Sequence, residues 1–337
     1  RGSSHGQTRI IRQAYFEHPD YVPLCRRAYE LWRDLESETG RELMHLCGLM
    51  LAGPTEGEAI AGARRAAELH GVGIENVAPE DARRRFRGFR FADADDVVFE
   101  ANAGSLDVED CVRAHVERAV TLGADLRTGE TVIEWRADAD SVHVRTGRNE
   151  YHAGRLIIAA GAWAGPLLSD LSLALRVLRK PVAWFPVATR DYDAAAGAPA
   201  FYFERPAGAF YGFPCLDGST LKLAEHTGGE AVADPLRVDR SLRESDVAPL
   251  AAFLRETLPG VAAEPVRHSV CMYTHSMDGH FLVGYHPRWP NVLIAAGFSG
   301  HGFKFTGVIG ESLADLATDG RTDLPINFLS PDRTLAD

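Results

Sequence analysis

The sequence predicts an α/β (α+β) fold in two lobes that the chain crosses repeatedly. Three observations lead there. Arg155-Leu-Ile-Ile-Ala-Ala-Gly161 and Asn291-Val-Leu-Ile-Ala-Ala-Gly297 are nearly all-apolar runs ending in a glycine, as strands buried on both faces do. Between them, residues 180–225 alternate apolar and polar side chains in several half-buried strands. Before them, apolar residues recur with the helical period. With 337 residues, 45% of them hydrophobic, the chain is long enough for one large domain or two ordinary ones.

Taken in order, the first third reads as helical. Leu24, Cys25, Ala28, Leu31, Trp32 and Leu35 follow a 3.6-residue period from Tyr21, and Pro23 suits a first turn. Residues 54–70 give a second helix ending at Gly71, and Pro79 starts a short third. A fourth starts at an Asp107 cap, carries the stripe Val108, Cys111, Val112, Val116, Ala119 and Val120, and stops at Gly123. Strands follow near 131–135, 142–146 and 155–161, then at 201–204, 210–213 and 220–224. A helix at 246–258 precedes strands at 266–274 and 280–285. The strand 291–297, a glycine-punctuated turn at Phe298–Lys304 and a helix over 303–318 close the pattern, aiming backbone N–H groups and a positive helix end at one point.

Composition excludes several classes. Lys and Arg total 36 against 47 Asp and Glu, a net charge of −11, and no basic run offers a nucleic-acid or anionic-membrane surface. No apolar stretch approaches the ~18 residues of a membrane span. Five widely spaced cysteines without a CxxC pair argue against a disulfide scaffold or a zinc ribbon and for a reducing compartment, hence the cytoplasm. The terminal Thr-Leu-Ala-Asp is no peroxisomal address. There is no Walker A sequence, HExxH, GxSxG or GxGxxG.

Three clusters carry chemistry. In His5-Gly-Gln-Thr8-Arg9-Ile-Ile-Arg12, two arginines three apart either grip a carboxylate or phosphate or form a solvated charge pair. Lys222 sits among apolar neighbours of an alternating strand after Tyr211-Gly-Phe-Pro, as a buried cation or as a snorkelling edge lysine. Cys271, near Tyr273, and the run Gly300-His-Gly-Phe-Lys304 make the third; a lone strand cysteine is also an ordinary small core hydrophobe, and His301 is as readily structural as catalytic.

The stretches SSHGQTRIIR (3–12), DYVPL (20–24), FYGFP (210–214), LKLAEHTGG (221–229), VCMYTHSMDGHFLVGYHP (270–287) and NVLIAAGFSGHGFKF (291–305) resemble, in family order, the monomeric sarcosine oxidase and N-methyltryptophan oxidase family. The resemblance spans residues 3 to about 330 and displaces a reading of Arg1-Gly-Ser-Ser-His5 as an expression-tag remnant. It implies a glutathione-reductase-like FAD oxidoreductase with an antiparallel-sheet substrate domain. The cofactor lobe would comprise 1–45, 100–175 and 285–330, and the substrate lobe 46–99 and 176–284. In the family a strand, a GxGxxG turn and a helix, about 30 residues or more, hold the ADP half of FAD. This unit is absent from the chain, and we expect the parent protein to carry it.

The resemblance also implies roles. Cys271 would bond covalently to the flavin, and Arg12 and Lys304 would hold the substrate carboxylate, with Tyr273 and Tyr202 beside it. Lys222 would stand by the oxygen-reactive face, where a fixed cation stabilises developing negative charge. His5 and Arg9 would tune the ring, and His226 and Tyr211 would line the cavity. Cofactor contacts are implied for Thr8, Val132, Gly161, Trp163, Gly297, Gly300, Gly302, Phe303 and Lys304. No metal site is expected. The implied reaction is oxidation of an N-methyl amino acid by O2 to an imine, which hydrolyses to amine and formaldehyde with release of H2O2, by a monomer whose only partners are the small-molecule amino-acid substrate and O2. Tyr202 and Glu225 depart from family branches and leave sarcosine, proline, pipecolate, N-methyltryptophan and a secondary-metabolite precursor open. Two other readings stand beside this one: a flavin dehydrogenase or complex subunit that passes electrons to a partner, and a cofactor-free fragment without activity.

Overall fold

The structure, a computed structural model, describes residues 2–171 and 173–334. Its largest sheet has nine strands. In spatial order these are Glu230–Ala231, Arg176–Pro186, Thr220–Glu225, Gly208–Phe213, Ala200–Arg205, Leu49–Pro54, Asp95–Glu100 and Glu75–Val77, with Arg267–His275 paired along Arg176–Pro186. Ala200–Arg205 and Leu49–Pro54 run parallel, and the other pairings are antiparallel.

The two-residue period of these strands separates core from site, because cross-strand partners share a face. Lys180 lies opposite Cys271, Leu178 opposite Tyr273, Trp184 opposite Lys222, Ala224 opposite Tyr211 and Tyr211 opposite Tyr202. One face of the sheet thus carries Lys180, Lys222, Cys271 and three tyrosines. The alternate residues Phe185, Leu223, Phe210, Phe201, Phe203 and Met50 form a dry layer under the helix Glu244–Thr257, where Phe253 stacks on Phe210 at 4.5 Å. Burying each such ring contributes about 1.5–3 kcal/mol.

The strand Thr8–Ile11 pairs antiparallel with Gly104–Asp107, which also pairs with Met44–His45. The helix Tyr21–Thr39 packs against Thr306–Thr318, and the indole of Trp32 donates to the carbonyl of Lys304 at 2.9 Å. Leu156–Ile158 runs parallel to Trp289–Ala296, which pairs antiparallel with Leu282–His286. Val132–Ala137, Val142–Thr146 and Glu150–Ala153 form a separate meander.

Several expectations need correction. The first third is not simply helical: six strands lie among its helices, most too short or too uniformly apolar to show a clear alternation. The run 155–161 forms only a three-residue strand, and Ile157 is 42% exposed, so it is not buried on both faces. The helix Val108–Thr121 buries Val108, Cys111 and Ala114 but leaves Val112, Val116 and Val120 exposed, since nothing among the described residues covers that face. Asp107 gives that helix no side-chain cap, because its carboxylate accepts from His45 at 2.8 Å instead.

Candidate active site

The segment Ser3–Arg12 is the hinge of the site. Glu109 accepts from the backbone N–H of Gly6 at 2.8 Å and of Gln7 at 3.1 Å, holding Gln7 at a left-handed φ of 73°. That bend presents His5 and Arg9 to the sheet. Arg9 donates to the carbonyls of Thr8 and Ser3 at 2.9 and 2.7 Å and reaches the Cys271 Sγ at 3.5 Å. His5 Nδ1 lies 3.9 Å from the same sulfur and 3.1 Å from the Ser269 hydroxyl. Burial alone would raise the thiol pKa, but His5, Arg9 and Lys222 outweigh it and bring Cys271 down to about 7.

Lys222 is buried in the same cluster. Its ammonium donates to the Gly6 and Thr8 carbonyls at 2.5 and 2.8 Å, with the Thr8 hydroxyl at 3.2 Å. Burial first, then Arg9 and Arg267, push its pKa well below the ordinary lysine value. The rings of Phe213 and Trp184 lie 4.7 and 5.6 Å from the cation. It is a buried cation and not a snorkelling edge residue.

Two cavities meet here. The larger, about 510 Å3, is lined by Ser3, Ser4, Arg9, Ala159 to Trp163, Met272 to Thr274, Gly297, Phe298, Gly300, Gly302, Phe303 and the helix Thr306–Thr318. Its size is that of a ligand or cofactor site, roughly 300–1,000 Å3. The smaller chamber, about 60 Å3, is lined by Arg9, Arg12, Phe16, Glu17, Tyr202, Tyr211, His226, Tyr273, Gly300, His301, Phe303 and Lys304. Arg9, Tyr273, Gly300 and Phe303 border both. Gly300 sits at φ +85°, and a Cβ there would run into the Tyr273 ring, so glycine is what lets the two cavities approach.

In the chamber Arg12 and Lys304 face one space from opposite ends of the chain. Lys304 donates to the His301 carbonyl at 2.9 Å, and burial, then Arg12, lower its pKa to about 8. His301 is structural: its Nδ1 pairs with the Tyr15 hydroxyl, its Nε2 lies 3.1 Å from the Gly279 carbonyl, and burial lowers its pKa to about 4. The His226 imidazole makes no hydrogen bond to the described residues, and burial lowers its pKa to about 3, so the ring is neutral. The Tyr211 and Tyr273 hydroxyls lie 3.5 Å apart.

One residue escaped the sequence reading. Both Glu17 oxygens accept from the Arg12 Nη2, at 2.7 and 2.5 Å, and Arg12 stacks on Tyr15 and Phe16 at 4.2 and 3.9 Å. Burial would raise this carboxyl, but Arg12, with His301 and Lys304, brings it to about 2. Its position five residues after Arg12 was the only signal, and such a spacing has no fixed geometry in a loop.

Not every anticipated contact gathers here. Val132 lies on a strand of the separate meander, 40% exposed, and borders neither cavity. Thr8 and Lys222 border neither large cavity but share a small crevice with Trp184 and Thr220. Cys271 itself is 1% exposed and reaches the larger cavity only through its neighbours Arg9 and Met272.

An elongated cofactor fits these residues. The Cβ side of Gly161, at φ +55°, is open within the larger cavity, and His5 Nε2 is buried with no partner among the described residues. A cleft of cofactor size thus abuts a small chamber that holds Arg12, Glu17 and Lys304. The chain belongs to the DAO family, described as FAD dependent oxidoreductases, which it matches over residues 1–316. It is 39% identical to a monomeric sarcosine oxidase of Bacillus sp. (strain NS-129), over 98% of this chain and 87% of that one. It is 34% identical to an N-methyl-L-tryptophan oxidase of Escherichia coli (strain SMS-3-5 / SECEC), over 96% and 87%. Among solved structures, the open form of NikD, described as an unusual amino acid oxidase essential for nikkomycin biosynthesis, is 28% identical and superposes with a TM-score of 0.84 over 98% of this chain and 87% of that one. Glycine oxidase from Geobacillus kaustophilus, 20% identical, shares the fold with a TM-score of 0.80 over 98% and 87%.

Proposed function

We propose that this FAD-dependent oxidoreductase oxidises a secondary amine, a small N-methyl amino acid such as sarcosine, with O2 as electron acceptor. The balance is N-methyl amino acid plus O2 plus water giving amino acid, formaldehyde and H2O2. The carrying observation is the chamber of about 60 Å3 in which Arg12 and Lys304 face a neutral His226 and three tyrosines beside the cofactor cleft. FAD, when bound, supplies the two-electron acceptor and passes the electrons to O2. The glycine turns at Gly161, Gly297, Gly300 and Gly302, with Trp163 and Phe303, would hold it, and Cys271 would fix it through a thioether.

The chain's own groups divide the remaining work. Arg12 and Lys304 bind the carboxylate and orient the N-alkyl carbon toward the cleft. His226, neutral, and the Tyr211–Tyr273 pair accept and share hydrogen bonds with the amine without adding a cation that would oppose loss of electrons. Phe16, Tyr202 and Phe303 exclude water. Lys222 and Arg9 place fixed positive charge where O2 takes up electrons. The division into cofactor and substrate lobes, a monomeric state and a cytoplasmic location belong to the same reading; no helix among the described residues is long and apolar enough to cross a membrane. A peroxide-coupled screen of N-methyl and cyclic amino acids on protein from the complete gene tests it. H2O2 with small N-methyl amino acids is expected, and none with any secondary amino acid would refute it.

A further inference from the structure

We propose that Lys180 is a positioning residue of the substrate chamber: its ammonium clamps the turn that carries His226 and lies under the ring of Tyr273. The inference rests on the reading of His226 and Tyr273 as substrate-side groups.

The sheet has a gap at this point. Thr220–Glu225 pairs with Arg176–Pro186 only along 183–186, and Glu230–Ala231 rejoins it at 178–179. The turn 226–229 bridges the gap, and Lys180 lies on the strand beside it. Lys180 Nζ donates to the carbonyls of Thr227 at 2.6 Å and Gly228 at 3.3 Å. Gly229, at φ +115°, passes so close that a Cβ would lie 3.1 Å from both the Lys180 Cδ and the Arg179 carbonyl oxygen. The same Nζ lies 5.3 Å from the centre of the Tyr273 ring, whose strand pairs with that of Lys180.

A residue needed only for packing would be apolar here. Lys180 is 3% exposed, no carboxylate lies within ion-pair distance among the described residues, and burying an ammonium is costly unless its donors are used. Its donors are used on the turn after His226. That matters because the imidazole has no hydrogen bond of its own to orient it. Among the described residues its backbone, which donates to the Ala209 carbonyl at 2.7 Å, and the rings of Tyr273, Tyr202 and Tyr211 at 5.7, 6.0 and 6.2 Å place it. A cation under the Tyr273 ring also fixes the wall shared by the two cavities.

The test uses FAD-loaded holoenzyme carrying Lys180→Met, Lys180→Arg or His226→Asn, each checked for folding by circular dichroism and flavin absorbance, with Lys180→Gln standing in should the methionine variant not fold. The readouts are KM and kcat for sarcosine, the rate of air reoxidation, and the affinity for butyrate, the carbon isostere of sarcosine without its amine, from the flavin difference spectrum. Lys180→Met is expected to raise KM about tenfold while reoxidation and butyrate affinity stay within about twofold, and Lys180→Arg to recover most of the loss. An unchanged KM in the Lys180 variant while His226→Asn raises it would overturn the positioning role. An unchanged KM in both would overturn the reading of the chamber on which it rests.

Discussion

Glu17 takes the Nη2 arm of Arg12, with both of its oxygens accepting from that nitrogen at 2.7 and 2.5 Å while Nη1 donates to the Ala14 carbonyl at 3.0 Å, at the place where a substrate carboxylate is expected to bind. A charge-assisted hydrogen bond to a guanidinium contributes about 1.5–3 kcal/mol, so a substrate must displace or share this carboxylate. Glu17→Gln is therefore expected to lower KM for carboxylate substrates by about tenfold with little change in kcat. Steady-state kinetics check it; a raised KM would mean that Glu17 orients Arg12 and does not compete with the substrate. The pH consequence has a definite sign. The folded pKa of about 2 lies below the ordinary 4.5, so the stability from this pair is complete above 4.5 and drains away as pH falls toward 2. Acid unfolding of the Gln variant should show a shallower slope across that window.

Lys222 is the buried cation nearest the Gly6–Thr8 bend. Removing one preorganised donor or charge from a catalytic site typically costs about 10²–10³-fold. Lys222→Met should slow reoxidation of the reduced enzyme by air by roughly that factor while leaving anaerobic reduction by substrate nearly intact. Because its pKa is lowered, the wild-type oxygen reaction should slow with rising pH well before ordinary lysine titrates. Stopped-flow mixing with aerated buffer measures both. Slow reoxidation already in the wild type would favour electron transfer to a partner protein.

Cys271 has a thiol held near pKa 7 by His5, Arg9 and Lys222 against the cost of burial. The thiolate is the nucleophile, so attachment of added FAD should quicken as pH rises through about 7 and level off above it. Arg9→Gln should move that midpoint upward. Acid precipitation reads the outcome, a yellow pellet from the wild type and a colourless pellet with yellow supernatant from Cys271→Ala.

Lys304 has its pKa lowered from 10.5 to about 8, so its charge is full below that value and lost above it. KM for the substrate should then rise as pH climbs past about 8, and Lys304→Met should remove that inflection while raising KM about 10–100-fold at neutral pH. His226, lowered to about 3, should contribute no inflection near its ordinary pKa. A pH series of KM for wild type and variant separates the two groups.

The sequence made the chemistry more legible than the packing. Lys222 could be placed because Leu221, Leu223 and the strand around them alternate, and the glycines at 161, 297, 300 and 302 marked turns that do line the cleft. Periodicity failed where a surface has no cover: Val112, Val116 and Val120 read as a core stripe, yet amphipathicity reports only that a face is apolar, not that something packs on it. Glu17 and Lys180 were missed for a different reason. Each works through partners set by loop paths, Arg12 across a bend and Thr227 across a gap in the sheet, and no local spacing encodes those meetings. Val132 shows the converse, a position suggested by resemblance that stands apart from both cavities.

A bound flavin beside the Arg12–Lys304 chamber is expected to take electrons from a small secondary amine. Mixing FAD-loaded protein with sarcosine and related N-methyl amino acids under strict anaerobiosis tests it most directly. Bleaching of the visible flavin band is expected, with recovery of colour on admitting air and one H2O2 formed per formaldehyde. Persistence of the oxidised spectrum with every secondary amino acid, at concentrations that shift that spectrum by binding, would contradict it.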